Sequence, residues 1–412
     1  MRGIVIVGAG QAGLQLALGL LARGYDVTLV AARDARQIRS GRVMSTQAMF
    51  GPALRIEREA GLNLWQRGTP EVRAIRAAVA DSTGSGTEAL AFTGPLDEPQ
   101  QSVDQRVKMA DWLELFETRG GRVIHRAIDA AELERLASDA DLTLVAAGRG
   151  ELAEVFARDD RRPRFDRPLR TLSCVYLHGV RMPGGPARTQ VRIHVVPGVG
   201  EVFLQPALTT SGPCTTLLWE AVPGGPLDCW QDRPSPGDHL ARSLDLLRTF
   251  LPWEYELCAA AEPTDANATL FGAVTPTVRH PVARLSPDTH VLGMADVVVV
   301  NDPVTGQGAN NAARCADIYL RAILERGEDA FDPAWMRRTF DAFWDHARHT
   351  TAFTTMMLGP LPEHMLRVLS AAVTHEAVAR RFANVYADPS DFTNWLADPA
   401  ATDAYLASAT RA

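Results

Sequence analysis

The chain of 412 residues is 46% hydrophobic and 22% charged and carries a formal net charge of −7. This composition is typical of a globular protein with more than one domain, and the negative charge excludes a general attraction to nucleic acid or to an anionic membrane surface. Five widely spaced cysteines without a CxxC pair favour reduced thiols over a disulfide scaffold or a zinc site, so we expect a cytoplasmic protein. No apolar stretch reaches the roughly 20 residues of a membrane-spanning helix, and we expect neither a membrane anchor nor a secretory leader.

The first 30 residues predict a βαβ unit of a parallel sheet. The apolar run RGIVIVG is typical of a buried strand, QAGLQLALGLLARG has the apolar spacing of a helix, and YDVTLVA is a second strand. Between the first strand and the helix lies a GxGxxG motif made by Gly8, Gly10, Gln11, Ala12 and Gly13. In this context the motif predicts dinucleotide binding: Gly8 makes the tight turn, Gly10 admits the pyrophosphate, and Gly13 lets the helix and the strand pack closely.

The end of the second strand departs from the usual dinucleotide pattern. An Asp or Glu normally binds the adenosine ribose at this point, but this chain has Ala31 and Ala32. Asp34 lies slightly downstream, and Arg33 beside an acid-free strand end fits the extra phosphate of NADP. These residues alone therefore leave both a flavin and a nicotinamide cofactor open.

The remaining elements predict an α/β fold with a second domain. DLTLVAAG (141–148) is a further strand of the first sheet, short β-type runs between Gly/Pro turns at 169–222 predict an antiparallel sheet, and 238–259 returns to helix. HVLGMADVVVV (290–300) is again a buried strand, and the chain beyond about residue 310 is helical. We predict a first nucleotide-binding part at 1–168, which includes a pocket-lining segment at 70–100, and a substrate domain at 169–268. A second nucleotide-binding part at 269–330 and a C-terminal helical region at 331–412 follow.

A second glycine-rich turn follows the buried strand at 290–300. The sequence NDPVTGQGANN combines two glycines with the start of a helix, whose N–H groups and dipole favour negative charge. A nicotinamide enzyme has no need of such a turn, whereas the isoalloxazine of FAD extends far from the first βαβ unit. The turn resembles the second FAD-binding motif of the flavoprotein aromatic hydroxylases, in which an Asp binds the ribityl hydroxyls and a Pro-x-x-Gly-x-Gly turn lies against the flavin ring. The candidate FAD-binding residues of this motif are Asp296, Pro303, Gly306, Gln307, Gly308, Ala309 and Asn310.

The resemblance extends to a narrower family. The segments GMADVVVVNDPVTGQGAN (293–310) and SGRVMSTQAM (40–49) resemble the styrene/indole monooxygenases, which are two-component FAD-dependent epoxidases. This resemblance covers most of the chain and implies a Rossmann-type FAD-binding domain, an antiparallel-sheet substrate domain and C-terminal helices, as in the aromatic hydroxylases. It also implies that a separate NAD(P)H:flavin reductase supplies FADH2, which reacts with O2 to epoxidise a small aromatic substrate. Arg42 and Arg106 are the two arginines that the resemblance places near FAD.

Five residues favour the indole branch of this family. Styrene-type members carry Asn, Val and His at alternate positions after the first arginine, and indole-type members carry Ser, Gln and Met, as Ser45, Gln47 and Met49 do here. Downstream, Val72 and Ile75 match the aliphatic pair of the indole branch, where styrene-type members have Tyr and His. The resemblance implies that these five residues bind substrate and that indole is epoxidised at its C2–C3 bond. Ordinary strand and core packing also explains Val72 and Ile75.

The sequence does not support other kinds of catalytic site. His346 and His349 lie three residues apart on a predicted helix without a third ligand, so no metal site is expected. We find no GxSxG motif and no acid/base pair, which fits an enzyme whose flavin carries the oxidation. Three alternatives remain open: a single-component NADPH-dependent hydroxylase with Arg33 on the phosphate, a styrene-type epoxidase, and a non-catalytic flavin-binding protein.

Overall fold

Strands and helices alternate through most of the computed structural model, which describes residues 2–81, 86–148, 150–162, 165–184 and 189–410. The strands are β1 (Gly3–Val7), β2 (Asp26–Ala31), β3 (Val72–Ala80), β4 (Glu88–Gln100), β5 (Arg122–His125), β6 (Leu142–Val145), β7 (Thr171–His178), β8 (Gln190–Val196), β9 (Gly200–Thr209), β10 (Gly212–Ala221), β11 (Glu262–Pro263), β12 (Thr269–Ala273), β13 (Thr277–Val278), β14 (Val282–Arg284), β15 (His290–Gly293) and β16 (Val299–Val300). The helices are α1 (Gln11–Leu21), α2 (Ala35–Arg39), α3 (Gly51–Glu59), α4 (Gln105–Thr118), α5 (Ala130–Ser138), α6 (Glu151–Glu154), α7 (Pro236–Phe250), α8 (Pro252–Cys258), α9 (Gly308–Arg326), α10 (Pro333–Leu358), α11 (Glu363–Thr374), α12 (Glu376–Val385), α13 (Phe392–Trp395) and α14 (Pro399–Ala409).

The first sheet is built mainly from parallel strands in the order β14-β15-β6-β1-β2-β5. The central strand β1 pairs in parallel with β2 on one side and with β6 on the other. Its residues and those of β6 are almost entirely buried, because α1, α4 and α9 share one hydrophobic core with the sheet. This arrangement confirms the predicted α/β fold with a Rossmann-type sheet. The carboxyl ends of the parallel strands lie at one edge, where ligands bind in sheets of this kind.

The second sheet is mainly antiparallel and has the order β11-β7-β10-β9-β8-β3-β4, with β12 also paired to β7. The strands β7 to β10 are the part that the Gly/Pro-punctuated sequence predicts. Strand β3 joins them through a parallel pairing with β8, and β4 pairs with β3. The segment at 70–100 therefore contributes its two strands to the second sheet, although the sequence groups it with the first nucleotide-binding part. The pairing of β3 with β8 spans more than a hundred residues of chain, so no local pattern reveals it.

The C-terminal helices pack against the second sheet and share its core. Phe382 of α12 meets Phe92 of β4 in an edge-to-face contact with ring centroids 5.7 Å apart. The same hydrophobic cluster contains Val72, Ile75 and Phe353. Each fully buried phenylalanine of this kind contributes about 1.5–3 kcal/mol through burial. The helices are therefore part of the structure that supports β3 and β4.

No helix in the described part of the chain is long and apolar enough to cross a membrane. The same residues contain no group of three or more His, Cys, Asp or Glu that could bind a metal ion. The five cysteines are free thiols.

Candidate active site

The three glycines of the first turn have different surroundings. Gly8 has φ +120°, and a Cβ placed on it would lie 2.7 Å from the backbone of Ala146. A Cβ on Gly13 would lie 2.0 Å from the carbonyl oxygen of Gly8, whereas a Cβ on Gly10 would meet no atom within 4 Å. The fold therefore requires glycine at positions 8 and 13, and the open side of Gly10 leaves the start of α1 accessible to a phosphate group.

The first turn of α1 is supported by a buried polar network. Gln11 and Ala12 begin this helix, which has no side-chain cap, so their backbone N–H groups are open to a ligand. The side-chain amide of Gln11 donates to Glu57 (2.9 Å) and to Gln15 (3.0 Å), and Glu57 also forms a buried ion pair with Lys108. Gln15 in turn donates to a backbone carbonyl of α9. The network joins the two helices that follow the two glycine turns.

The end of β2 carries no acidic side chain, as the sequence indicates. Ala31 is fully buried, and Asp34 accepts a hydrogen bond from the backbone N–H of Gln37 at 2.7 Å. Asp34 is thus engaged in capping α2. Arg33 is exposed, and its guanidinium donates to the Sδ atom of Met44 at 2.8 Å.

The second glycine turn lies directly before α9. Gly306 follows the 3-10 turn Pro303–Thr305 and has φ +65°, in the left-handed region that favours glycine. Gly308 is the first residue of α9, and a Cβ placed on it would meet no atom within 4 Å. The N–H groups of Gly308, Ala309 and Asn310 are in the first helical turn, which attracts negative charge. The turn therefore offers an open, positively polarised surface to a flat ligand.

Two side chains hold this turn in place. The Oδ1 atom of Asn310 accepts from the backbone N–H of Phe50 at 2.9 Å, and its Nδ2 atom donates to the carbonyls of Ala48 (2.7 Å) and Gly306 (3.0 Å). The Nε2 atom of Gln307 donates to the carbonyl of Tyr386 at 2.8 Å. The turn is thus tied to the segment before α3 on one side and to the C-terminal helices on the other.

Asp296 lies at the carboxyl edge of the first sheet, in the short turn after β15. It follows Ala295, whose φ is +50°, and it is exposed. A Cβ on Gly148, just beyond β6, would lie 2.6 Å from the Cβ of Asp296, so only a glycine permits this approach. The carboxylate therefore lies at the edge where the ribityl chain of a flavin dinucleotide would run. Together, the two glycine turns and Asp296 fit FAD.

A cavity of about 50 Å³ lies beside the second glycine turn. One wall is the turn at 303–306, and the opposite wall is a face of the second sheet that is mostly aliphatic and aromatic. The lining outside the turn consists of Thr46, Ala48, Phe50, Ile75, Gln100, Val191, Ile193, Phe203, Gln205, Thr216, Leu218 and Tyr386. Burial raises the pKa of the Tyr386 hydroxyl, so the lining carries no charge at neutral pH. An aromatic substrate enters such a space only if the apolar side chains around it rotate.

Of the five residues that the sequence assigns to substrate, Ile75 lines this cavity. The segment before α3 alternates, so that its even-numbered residues line the cavity and its odd-numbered residues do not. Ser45 donates to the Oε1 atom of Gln47 at 3.1 Å, and the amide of Gln47 donates to a backbone carbonyl. Met49 packs in a separate apolar cluster, and Val72 lies in the core shared with the C-terminal helices. A substrate contact for these four residues stays a prediction.

The two arginines assigned to FAD have opposite surroundings. Arg42 is exposed. Arg106 is buried and bonded to Asp104 (2.8 Å), to Asp265 (2.9 and 3.0 Å) and to the hydroxyl of Thr209 (3.0 Å). These bonds join α4, β9 and the loop before β12, and they favour a positioning role for Arg106. A direct contact of either arginine with the cofactor stays a prediction.

A buried acidic cluster beside the turn has no counterpart in the sequence analysis. Glu220 of β10 is directly opposite Glu201 of β9, and Arg170 forms a two-pronged ion pair with Glu201 at 2.6 and 2.8 Å. Glu220 is fully buried beside Asp302, the residue before Pro303, and neither oxygen of its carboxyl group has a hydrogen-bond partner in the described part of the chain. Burial raises the pKa of Asp302 to about 6, and burial and the charge of Asp302 raise the pKa of Glu220.

The two histidines, His346 and His349, lie on α10, and both are partly buried, not fully exposed as surface side chains would be. Burial lowers the pKa of His346 to about 4, so this side chain is neutral at physiological pH. The Nδ1 atom of His349 lies 3.3 Å from the hydroxyl of Thr393. Neither is part of a group of metal-binding residues in the described part of the chain.

The sequence is similar to proteins of one enzyme family. The family profile of the substrate-binding domain of styrene monooxygenase A matches residues 148–256. Styrene monooxygenase StyA of Pseudomonas fluorescens is 29% identical over 394 residues, which cover 94% of this chain and 93% of the relative. The StyA protein of a Pseudomonas species gives the same identity and coverage. These matches support the resemblance of the chain to the styrene monooxygenase family.

Solved structures of flavin-dependent enzymes share the fold of this chain. A triple mutant of the flavin-dependent brominase Bmp2 has a TM-score of 0.65 at 15% identity, covering 100% of both chains. A flavoprotein/dehydrogenase from Cytophaga hutchinsonii has a TM-score of 0.67 at 12% identity and covers 94% of this chain and 92% of its own. At such low identity these structures show a common fold, in agreement with the arrangement of the two sheets.

Proposed function

We propose that this chain is a flavin-dependent monooxygenase that uses reduced FAD and O2 to epoxidise an aromatic alkene, and that indole, oxidised at C2–C3, is its preferred substrate. The observation that carries this proposal is the uncharged cavity between the second glycine turn and the apolar face of the second sheet. A flavin ring against the turn would close one side of this cavity. An aromatic substrate in the cavity would then face the ring.

The residues that would hold FAD come from both predicted nucleotide-binding parts, 1–168 and 269–330. The open side of Gly10 and the first N–H groups of α1 would bind the pyrophosphate, and Asp296 would bind the ribityl hydroxyls. The N–H groups of Gly308 and Ala309 would stabilise negative charge at the nearby edge of the flavin ring. Reduced FAD, when bound there, would supply the electrons that activate O2, and O2 would supply the oxygen atom that is transferred.

The protein contributes positioning and exclusion of water. The aliphatic and aromatic side chains of the cavity leave no charged group beside the reacting double bond, and they keep bulk water from competing for the activated oxygen. Packing of a flat ring against Ile75 and its neighbours would orient that double bond toward the turn. This division of labour fits the lack of a charged acid/base pair among the described lining residues.

Two observations support the finer parts of the proposal. The Ser45-Gln47-Met49 pattern with Val72 and Ile75 supports indole over styrene through its resemblance to the indole branch. The sequence contains one N-terminal dinucleotide motif and no second one for NAD(P)H. A separate NAD(P)H:flavin reductase is therefore the proposed source of reduced FAD.

The decisive experiment supplies the purified chain with FAD and air and measures the oxidation products of indole and styrene. Three conditions are compared: NADPH alone, NADH with an added flavin reductase, and FAD reduced chemically before mixing. The proposal expects little NAD(P)H consumption by the chain alone and product formation in the other two conditions, with indole turned over faster than styrene.

Each other result points to one alternative. Rapid NADPH oxidation without a reductase would identify a single-component hydroxylase, with the exposed Arg33 as the candidate contact for the extra phosphate. Faster turnover of styrene would place the chain in the styrene-type branch. FAD binding without oxidation of either substrate under any condition would leave a flavin-binding protein.

A further inference from the structure

The lining of the cavity contains one buried hydrogen-bond acceptor that the protein leaves without a partner. Gln100, the last residue of β4, is completely buried and lines the cavity. Its Nε2 atom donates to the Oε1 atom of Gln205 at 3.1 Å. Its Oε1 atom has no hydrogen-bond partner within the described part of the chain. An unsatisfied buried acceptor destabilises a fold, so a persistent one at a cavity wall indicates a ligand that donates to it.

The orientation of this amide follows from a backbone carbonyl. Gln205 donates from Nε2 to the carbonyl oxygen of Pro206 at 2.8 Å, and a carbonyl oxygen only accepts. The Oε1 atom of Gln205 therefore faces Gln100 and must receive a donor. Gln100 consequently presents its Nε2 atom to Gln205 and keeps its own Oε1 atom free. Exchanging oxygen and nitrogen in either amide would break a bond of this chain.

The rest of the cavity restricts the donor to one chemical class. The side chains around Gln100 are largely apolar, including Val191, Ile193, Phe203 and Leu218. They match a flat hydrocarbon ring, and they outnumber the polar side chains of the lining, which besides Gln100 are Thr46, Gln205, Thr216 and Thr305. A ligand that fits both the walls and the free acceptor is a planar aromatic heterocycle with a single ring N–H.

We propose that the Oε1 atom of Gln100 accepts the ring N–H of the substrate and thereby gives the site its preference for indole over substrates without that group. This inference rests on the proposed function. It assigns the hydrogen bond with the ring N–H to Gln100, a residue of the second sheet. Ser45 and Gln47, which the sequence assigns to the substrate, are bonded to each other.

The first test compares indole with benzofuran, which has the same shape and carries a ring oxygen in place of the N–H. One hydrogen bond is worth roughly a two- to tenfold difference in kcat/KM or in dissociation constant. We expect the wild-type chain to prefer indole by roughly twofold or more. This preference should appear both in turnover with a flavin reductase and in calorimetric titration without turnover. Equal affinity and equal kcat/KM for the two ligands would overturn the proposal.

The second test removes the acceptor. Gln100→Met keeps the length of the side chain and should reduce the preference for indole over benzofuran to less than about twofold, while oxidation of benzofuran continues. Gln190→Met makes the same change on β8 outside the cavity lining and should keep the full preference. An undiminished preference in folded Gln100→Met would contradict the assignment. If that variant does not fold, the wild-type titration decides.

The two tests also separate this inference from the proposed function. If the wild-type chain oxidises neither ligand but binds indole more tightly than benzofuran, the monooxygenase assignment fails and the contact stands. If it oxidises both ligands equally well, the monooxygenase assignment stands and the contact fails.

Discussion

Replacing Asp302 by asparagine should stabilise the protein at alkaline pH. Asp302 is buried beside Glu220, and its pKa is raised from 3.8 to about 6. A carboxyl group with a raised pKa binds its proton more tightly in the folded chain than in the unfolded chain. The stability it contributes is therefore full below pH 3.8 and is lost as the pH rises through 6. The difference corresponds to about 3 kcal/mol above that range.

Asparagine preserves the local structure while removing this titration. Its Oδ1 atom can accept from the backbone N–H of Val304, as Asp302 does at 3.1 Å, and asparagine is a good residue for starting a helical turn. Its Nδ2 atom adds a donor for the buried carboxyl of Glu220. At pH 8 we therefore expect Asp302→Asn to raise the free energy of unfolding by up to about 3 kcal/mol, and at pH 4 the two proteins should be nearly equal.

Thermal melting followed by circular dichroism between pH 4 and pH 8 measures this effect. For a chain of this length, about 3 kcal/mol corresponds to a rise in Tm of roughly 3–4 °C. Asp139→Asn, which changes an exposed aspartate, is the matched control and should melt like the wild type throughout. If Asp302→Asn melts below the wild type at pH 8, or keeps the wild-type pH dependence, Asp302 does not hold a proton in the way inferred.

Three other substitutions probe the cofactor site and its support. Gly308→Asp should weaken FAD binding by about tenfold or more in a fluorescence titration, because it adds a negative charge at the helix start. Arg33→Ala should weaken FAD binding less. If Arg33→Ala weakened it more, the second turn would not be part of the flavin site. Gly13→Ala should lower stability by about 1–3 kcal/mol and abolish FAD binding, because its Cβ would overlap a backbone oxygen; unchanged melting and binding would contradict the close packing. Lys108→Met should destabilise the chain by about 3–5 kcal/mol because Glu57 is left buried without its charge partner, and Lys108→Met combined with Glu57→Gln should recover part of that loss; a neutral single variant would show that the pair is unimportant.

The parts of the structure that the sequence predicts well depend on local chemistry. The first βαβ unit follows from one apolar strand, one helix with apolar spacing and a glycine turn within 30 residues. The antiparallel strands β7 to β10 are separated by Gly and Pro, which punctuate the chain visibly. Asp296 and the glycine turn before α9 form a motif that lies within about a dozen consecutive residues. In each case the signal and the structure lie in the same short segment.

The parts that escape prediction depend on contacts between distant segments. The pairing of β3 with β8 brings residues 72–80 into the second sheet. The Gln100–Gln205 bond crosses 105 residues of chain, so the free acceptor at Gln100 exists only once the sheet has formed. Glu220 resembles any strand residue until Asp302 is placed beside it. The sheet and α9 likewise determine which residues of the 45–50 segment face the cavity. The sequence alone does not reveal this alternation.

The amide of Asn310 links the wall of the cavity to the second glycine turn. Its three hydrogen bonds connect the Ala48–Phe50 wall of the cavity to the Gly306 turn, so a shift of the wall is transmitted to the turn and the reverse. By thermodynamic reciprocity, any change that the aromatic ligand makes in flavin affinity equals the change that flavin makes in affinity for the aromatic ligand. We therefore expect the affinities for the two molecules to be coupled through this single asparagine.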